Sequence, residues 1–330
     1  MNRRTKATVI PIDPSTYKNH FTHGEERTWS ESNCYVDLWT ELLNGLGLDP
    51  VACMPFTLDL DFEGDQWTFF KYPLEDIRQI YGLDVNELNV WQPHRLVHHC
   101  IEQAAMGRST IVEIDAHYLP DTSGTTYHTG HEKTSIAIVD LDVEAKRCVY
   151  FHAKSAYLLS GDDFAGAFRL DLPADAVNLP PYVETVRMHA MKKLGAHELA
   201  KESIALLRQH LARRPNDPFA RFRGRFMEDV EWLKNEDLGV FHGYAFACLR
   251  QIGASYELAS TYMKWLEERG EKGLLPIAEK LEQISTSAKS VQFNLARVVR
   301  AKKKADFAPM LDTMQAAWGS AMNDLVARYG

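Results

Sequence analysis

The chain changes hydrophobic period at DLPADAVNLPPYVET, and that change constrains the fold more than any other feature. Pro173, Pro180 and Pro181 cluster there, and proline can neither continue a helix interior nor donate to a central strand. Upstream, apolar and polar residues alternate over short runs; downstream, apolar residues recur every three or four positions. Residues 1–175 therefore read as an α+β domain, a helix followed by an antiparallel sheet, and residues 176–330 as an all-helical bundle or cap.

Within the first part, residues 1–28 form an irregular lead-in. Tyr35, Leu38, Trp39, Leu42, Leu43 and Leu46 recur at helical spacing from Cys34, and Gly45 and Gly47 close the helix. TLDLDFEGDQWTFFKY alternates about Glu63-Gly64-Asp65, which predicts a hairpin. Short helices are expected over 73–81 and 93–106. STIVEID, HEKTSIAIVDLD and RCVYFH read as strands. Downstream, the spacing predicts helices over 183–213, 217–235, 238–269, 274–303 and 305–328.

The formal net charge of -8, with Lys and Arg dispersed, argues against nucleic acid as a partner. No 18-residue apolar run is present, so no membrane span is expected, and the basic start MNRRTK lacks the apolar segment of a signal peptide. The five cysteines are scattered, with no CxxC pair, which predicts reduced thiols and a cytoplasmic location.

One cysteine stands out. In ESNCYVDLW, Ser32 or Asn33 can cap a helix whose first turn holds Cys34. Unpaired amides at a helix start favour a thiolate, and can serve as oxyanion donors with Asn33 or Ser32 in support. The bland alternative is a buried filler. A nucleophile needs a histidine. His131 opens a strand after Gly130, with His128 competing from the preceding loop. Asp115 and Asp140, at strand ends, are candidate orienting groups, and His152 ends the return strand.

The order of Asn33-Cys34, then Asp115-Ala116-His117-Tyr118-Leu119-Pro120, then Gly130-His131 resembles the papain-like fold. More narrowly, over residues 30–160, it is similar to the family of BtrH-type acyltransferases. Nearly the whole chain, including LASTYMKWLEERG, resembles the DUF1839 family. The resemblance implies Cys34 as nucleophile and His131 as base. Two departures are visible: such relatives often carry Asp-Pro where this chain has His152-Ala153, and papain-like peptidases carry a glutamine shortly before the cysteine, where residues 28–32 have none.

A cysteine–histidine pair performs acyl transfer. The resemblance implies an aminoacyl group taken from the phosphopantetheine thioester of a small acidic carrier protein to a small-molecule or peptide acceptor. No cofactor is then bound, phosphopantetheine arriving on the donor. Basic residues Lys302, Lys303 and Lys304 can dock the carrier. Arg250, Glu257 and Lys264, seven apart on one helix face, can line an acceptor pocket or form an interhelical salt network, and Tyr118 and His128 complete the binding candidates. Three other readings compete: a cysteine peptidase or amidase, a scaffold that lost its chemistry, and a zinc hydrolase using His94 and His98 in PHRLVHHC, which lacks the HExxH glutamate.

Overall fold

The computed structural model describes residues 4–170, 173, 179–302 and 304–330. The chain divides into two units. The first comprises residues 1–24, 33–50 and 77–193, and the second residues 25–32, 51–76 and 194–330.

The first unit is built on an antiparallel sheet. Its elements in chain order are β1 (Lys6–Thr8), α1 (Cys34–Gly45), α2 (Leu74–Tyr81, of which residues 77–81 belong to this unit), β2 (Asp84–Asn89), α3 (Leu96–Ala105), β3 (Arg108–Asp115), β4 (Lys133–Asp142), β5 (Arg147–His152), β6 (Ser155–Ser160), α4 (Gly161–Ala167) and β7 (Tyr182–Arg187). The strand order is β2-β7-β3-β4-β5-β6, with β1 continuing along β4. Alternation puts Ile136, Ile138 and Tyr150 into one apolar cluster with Val97 and Cys100 of α3 and Phe164 and Phe168 at α4. Phe151 takes the opposite direction and meets α1. There a Cβ on Gly45 would come within 2.6 Å of the Phe151 ring, so only glycine permits this approach.

The reading of 183–213 as one helix is corrected: β7 occupies its first residues and α5 (Ala196–Arg213) begins later. Val183 and Val186 are buried in the sheet, and β7 bonds to both β2 and β3. PYVETVR is too short a run to separate the two periods, and its partners lie some 75–100 residues upstream in the chain.

The second unit holds α5, α6 (Pro218–Leu233), α7 (Leu238–Tyr244), α8 (Gln251–Glu268), α9 (Leu275–Ala301) and α10 (Ala308–Tyr329), with a π-helical turn over 245–250 joining α7 to α8. Apolar residues of α9, among them Leu281, Ile284, Ala288, Val291 and Leu295, follow the helical period and are buried. The expected hairpin is reduced to a single bridge between Phe62 and Trp67. Their rings pack instead on Phe222 and Phe219 of α6, 5.5 and 5.1 Å between centroids, so the alternating apolar residues serve the helical core.

Candidate active site

Asn33 caps α1, its Oδ1 accepting the Val36 amide at 3.0 Å, and Cys34 is the first helical residue. The thiol is half-buried and faces the start of β4, where Thr134 and the main chain of Ser135 lie close enough to lower its pKa. Burial pushes the Cys34 pKa up, and Asp37, one turn along, adds to the rise; Thr134, the Ser135 amide and Lys133 oppose it. The helix start alone therefore does not make a resting thiolate here.

Behind Thr134 lies a buried relay. Thr134 Oγ1 is 2.8 Å from His152 Nε2, and His152 Nδ1 is 2.5 Å from Asp121 Oδ2. The Tyr150 hydroxyl donates to Asp121 Oδ1 at 2.5 Å. His152 and Asp121 side chains are only 8% and 3% exposed, so water does not compete for these bonds. The Asp121 carboxylate holds Nδ1 of the ring, which turns Nε2 towards the Thr134 hydroxyl. Register explains the convergence. Tyr150 and His152 are two apart on β5 and project to the same face, and Asp121 sits in the 3-10 turn over 120–122 that follows β3. The two-residue loop after His152 puts Ala153 at φ 44°, the left-handed conformation such loops use, and so terminates β5 at the histidine.

His131 forms a separate pair. Its Nδ1 is 2.7 Å from Asp115 Oδ2, and its ring stacks on His117 at 4.4 Å. Burial works to raise the Asp115 carboxyl, but His131 and the His117 amide outweigh it and hold Asp115 below the usual carboxylate range. The His131 side chain is 70% exposed and, with Asp115, Lys133 and Arg169, lines a cavity of about 300 Å³. Asp115 is paired with Lys133, and Ile114 with Thr134. Adjacent strand positions face opposite ways, which is why the His131–Asp115 and His152–Asp121 pairs remain distinct.

The other candidates are engaged elsewhere. Asp140 accepts from Thr8 and pairs with Arg147 at 2.5 Å, six residues along β4 from Thr134, roughly 20 Å of strand. His128, at φ 55°, bonds Asp163 at 2.8 Å. Tyr118 packs against the apolar cluster, and Ser32 is buried. Glu257 accepts the amides of Thr28 and Trp29 at 2.9 Å each, with Arg27 at 3.5 Å, so it tethers the 25–32 segment. Arg250 pairs with Glu31, and Lys264 bridges α8 to Glu282 of α9 at 2.5 Å. Lys302 ends α9 in a left-handed conformation and donates to the Glu236 carbonyl at 2.7 Å; Lys304 is exposed, and Lys303 lies outside the described residues.

Sequence reading missed Thr134, Asp121 and Tyr150. Asp121 directly follows the Tyr118-Leu119-Pro120 segment, and Tyr150 shares the parity of His152, which was the available signal. Among the described residues, no three His, Cys, Asp or Glu side chains gather as a metal site, and no helix is long and apolar enough to cross a membrane.

Fold and site define a mixed α+β protein, with an antiparallel-sheet N-terminal part and a helical C-terminal part. The chain belongs to the DUF1839 family: residues 18–188 match the DUF1839 N-terminal domain, and residues 196–327 match the DUF1839 C-terminal domain. No curated protein matches it.

Proposed function

We propose that the protein is a cysteine-dependent acyltransferase with a papain-like N-terminal domain of the BtrH type. The observation that carries this reading is the hydrogen-bond chain from Thr134 to His152 and Asp121, at the strand start that Cys34 faces. The Cys34 proton passes to Thr134 Oγ1 as the Thr134 proton passes to His152 Nε2. The sulfur attacks the donor thioester carbonyl, and the Cys34 amide at the helix start stabilises the oxyanion. The leaving thiolate recovers the proton from His152 by the same path, leaving an acyl-Cys34 thioester. An acceptor amine or hydroxyl then attacks, its proton goes to His152, and that proton returns through Thr134 to the released Cys34 thiolate. Asp121 keeps the ring oriented and stabilises the imidazolium. His131, held by Asp115 at the neighbouring cavity, is the competing base.

The donor in this reading is an aminoacyl group on the phosphopantetheine arm of an acidic carrier protein, in the cytoplasm, with no cofactor bound to the enzyme. The family resemblance supports the donor class, and the exposed Lys304 beside Lys302 supplies positive charge for docking. Replacing Lys302 and Lys304 by alanine should raise KM for a carrier-bound donor and leave turnover of a small thioester unchanged; equal losses on both donors would remove the docking assignment. The burial that raises the Cys34 pKa favours one rival, a scaffold that kept the fold without the chemistry.

The deciding experiment is an acid-quenched incubation with aminoacylated carrier protein, read by intact mass. The reading expects an acyl adduct that Cys34→Ala abolishes. An adduct that persists in that variant, or none with any aminoacyl thioester, rejects it.

A further inference from the structure

A second cavity, of about 680 Å³, lies wholly within the helical unit, and its walls are basic. His197, Lys201 and Arg208 stand at steps of four and seven along α5, so they form one stripe on that helix. Arg269 and Arg328 face in from the ends of α8 and α10. Four permanent cations thus meet one carboxylate, Glu271, in a chain whose net charge is -8.

That carboxylate is already matched. Glu271 Oε2 accepts from Arg328 at 3.0 Å and from the Tyr329 hydroxyl at 2.9 Å. The two arginines are also held by main chain. Arg328 donates to the Lys272 carbonyl at 2.6 Å, while Arg269 donates to the Trp265 carbonyl at 3.2 Å and lies over the Trp265 ring at 3.9 Å. Among the described residues, His197, Lys201 and Arg208 make no ion pair across the cavity. Cations at helix C-termini are commonplace, because they complement the dipole, and that accounts for Arg269 and Arg328 alone. It does not account for the α5 stripe: His197 lies in the first turn of its helix, where the dipole disfavours positive charge, and Lys201 and Arg208 stand more than a turn from either end. The volume matches a small organic ligand rather than a single ion. Donors converge from three helices, which suits the several oxygens of a phosphate better than a planar carboxylate.

We propose that this cavity is a binding site for a phosphorylated small molecule, with Lys201 and Arg208 as its anion-contacting residues.

The test is calorimetric titration of the full-length protein with inorganic pyrophosphate at fixed ionic strength. Saturable binding is expected, weakened at least about tenfold by Lys201→Glu with Arg208→Glu. Both residues are exposed, so circular dichroism and the melting temperature of that variant should match the parent. Arg297→Glu, at an exposed position on α9, serves as a charge control and should bind as the parent does. Absence of saturable binding, or equal weakening by the control, overturns the assignment.

Discussion

The Thr134 hydroxyl lies 2.8 Å from Nε2 of His152 and stands near the Cys34 thiol, so a single hydroxyl lies between the helix-start sulfur and a buried imidazole–carboxylate pair. Thr134→Val keeps the shape and removes the link. Acylation of Cys34 should fall at least about 100-fold in that variant and recover within a few-fold in Thr134→Ser. Thr134→Val also leaves His152 Nε2 buried without its partner, at a cost of about 1–3 kcal/mol in urea unfolding. Full acylation activity in the valine variant would exclude the relay.

The two histidine pairs can be ranked against each other. His152→Ala should slow single-turnover acylation at least about 100-fold, while His131→Ala should leave it within a few-fold and affect only transfer to the acceptor. A reversed ranking would move the base to the exposed His131–Asp115 pair.

Buried charge next to the nucleophile gives a pH prediction. His23 is enclosed by Glu41, which meets its Nδ1, and Asp37, 3.4 Å from its Nε2; all three side chains are 5% exposed or less. Burial alone would depress the His23 pKa, but the bonds and charges of Asp37 and Glu41 outweigh it and lift the pKa to about 9. Folding therefore binds a proton between about pH 6.5 and pH 9. The stabilisation is fully present below that window and is lost as pH rises through it. His210, between Asp59 and Asp76, is raised as well and acts in the same direction. Melting temperature should fall from pH 6.5 to pH 9, and His23→Gln should flatten part of that slope; an unchanged slope would refute the His23 assignment.

Asp37 couples this cluster to the thiol. Its charge raises the Cys34 pKa, and His23 partly neutralises it. Asp37→Asn should shift the pH profile of Cys34 alkylation to lower pH, and His23→Gln should shift it upward. The double variant should return towards the parent, since both charges are then gone. Shifts of the same sign in the two single variants would point to packing instead of charge.

Glu257 offers a structural control. It satisfies two main-chain amides of the 25–32 segment, so Glu257→Ala should destabilise the helical unit by about 1–3 kcal/mol. It should leave the KM of any acyl donor unchanged. A KM effect at unchanged stability would restore it as a substrate contact.

The sequence by itself determined the helix beginning at Cys34, its Asn33 cap, the strands β3, β4 and β5, and most of the helices after residue 195. These follow from local rules: a side chain that caps the next turn, and a hydrophobic period of two or of 3.6. Asp115 and Asp140 were equally legible as strand-end partners for His131, and the structure pairs it with Asp115. Tertiary structure alone decided the rest. It put β7 inside the sheet, and it turned Phe62 and Trp67 towards α6. It chose Asp121 over Asp140 as the carboxylate nearest the thiol's relay. Each of those outcomes depends on register, which sets the face a side chain takes. Register is fixed by pairing between segments that can be a hundred residues apart, and no local pattern in the chain records it.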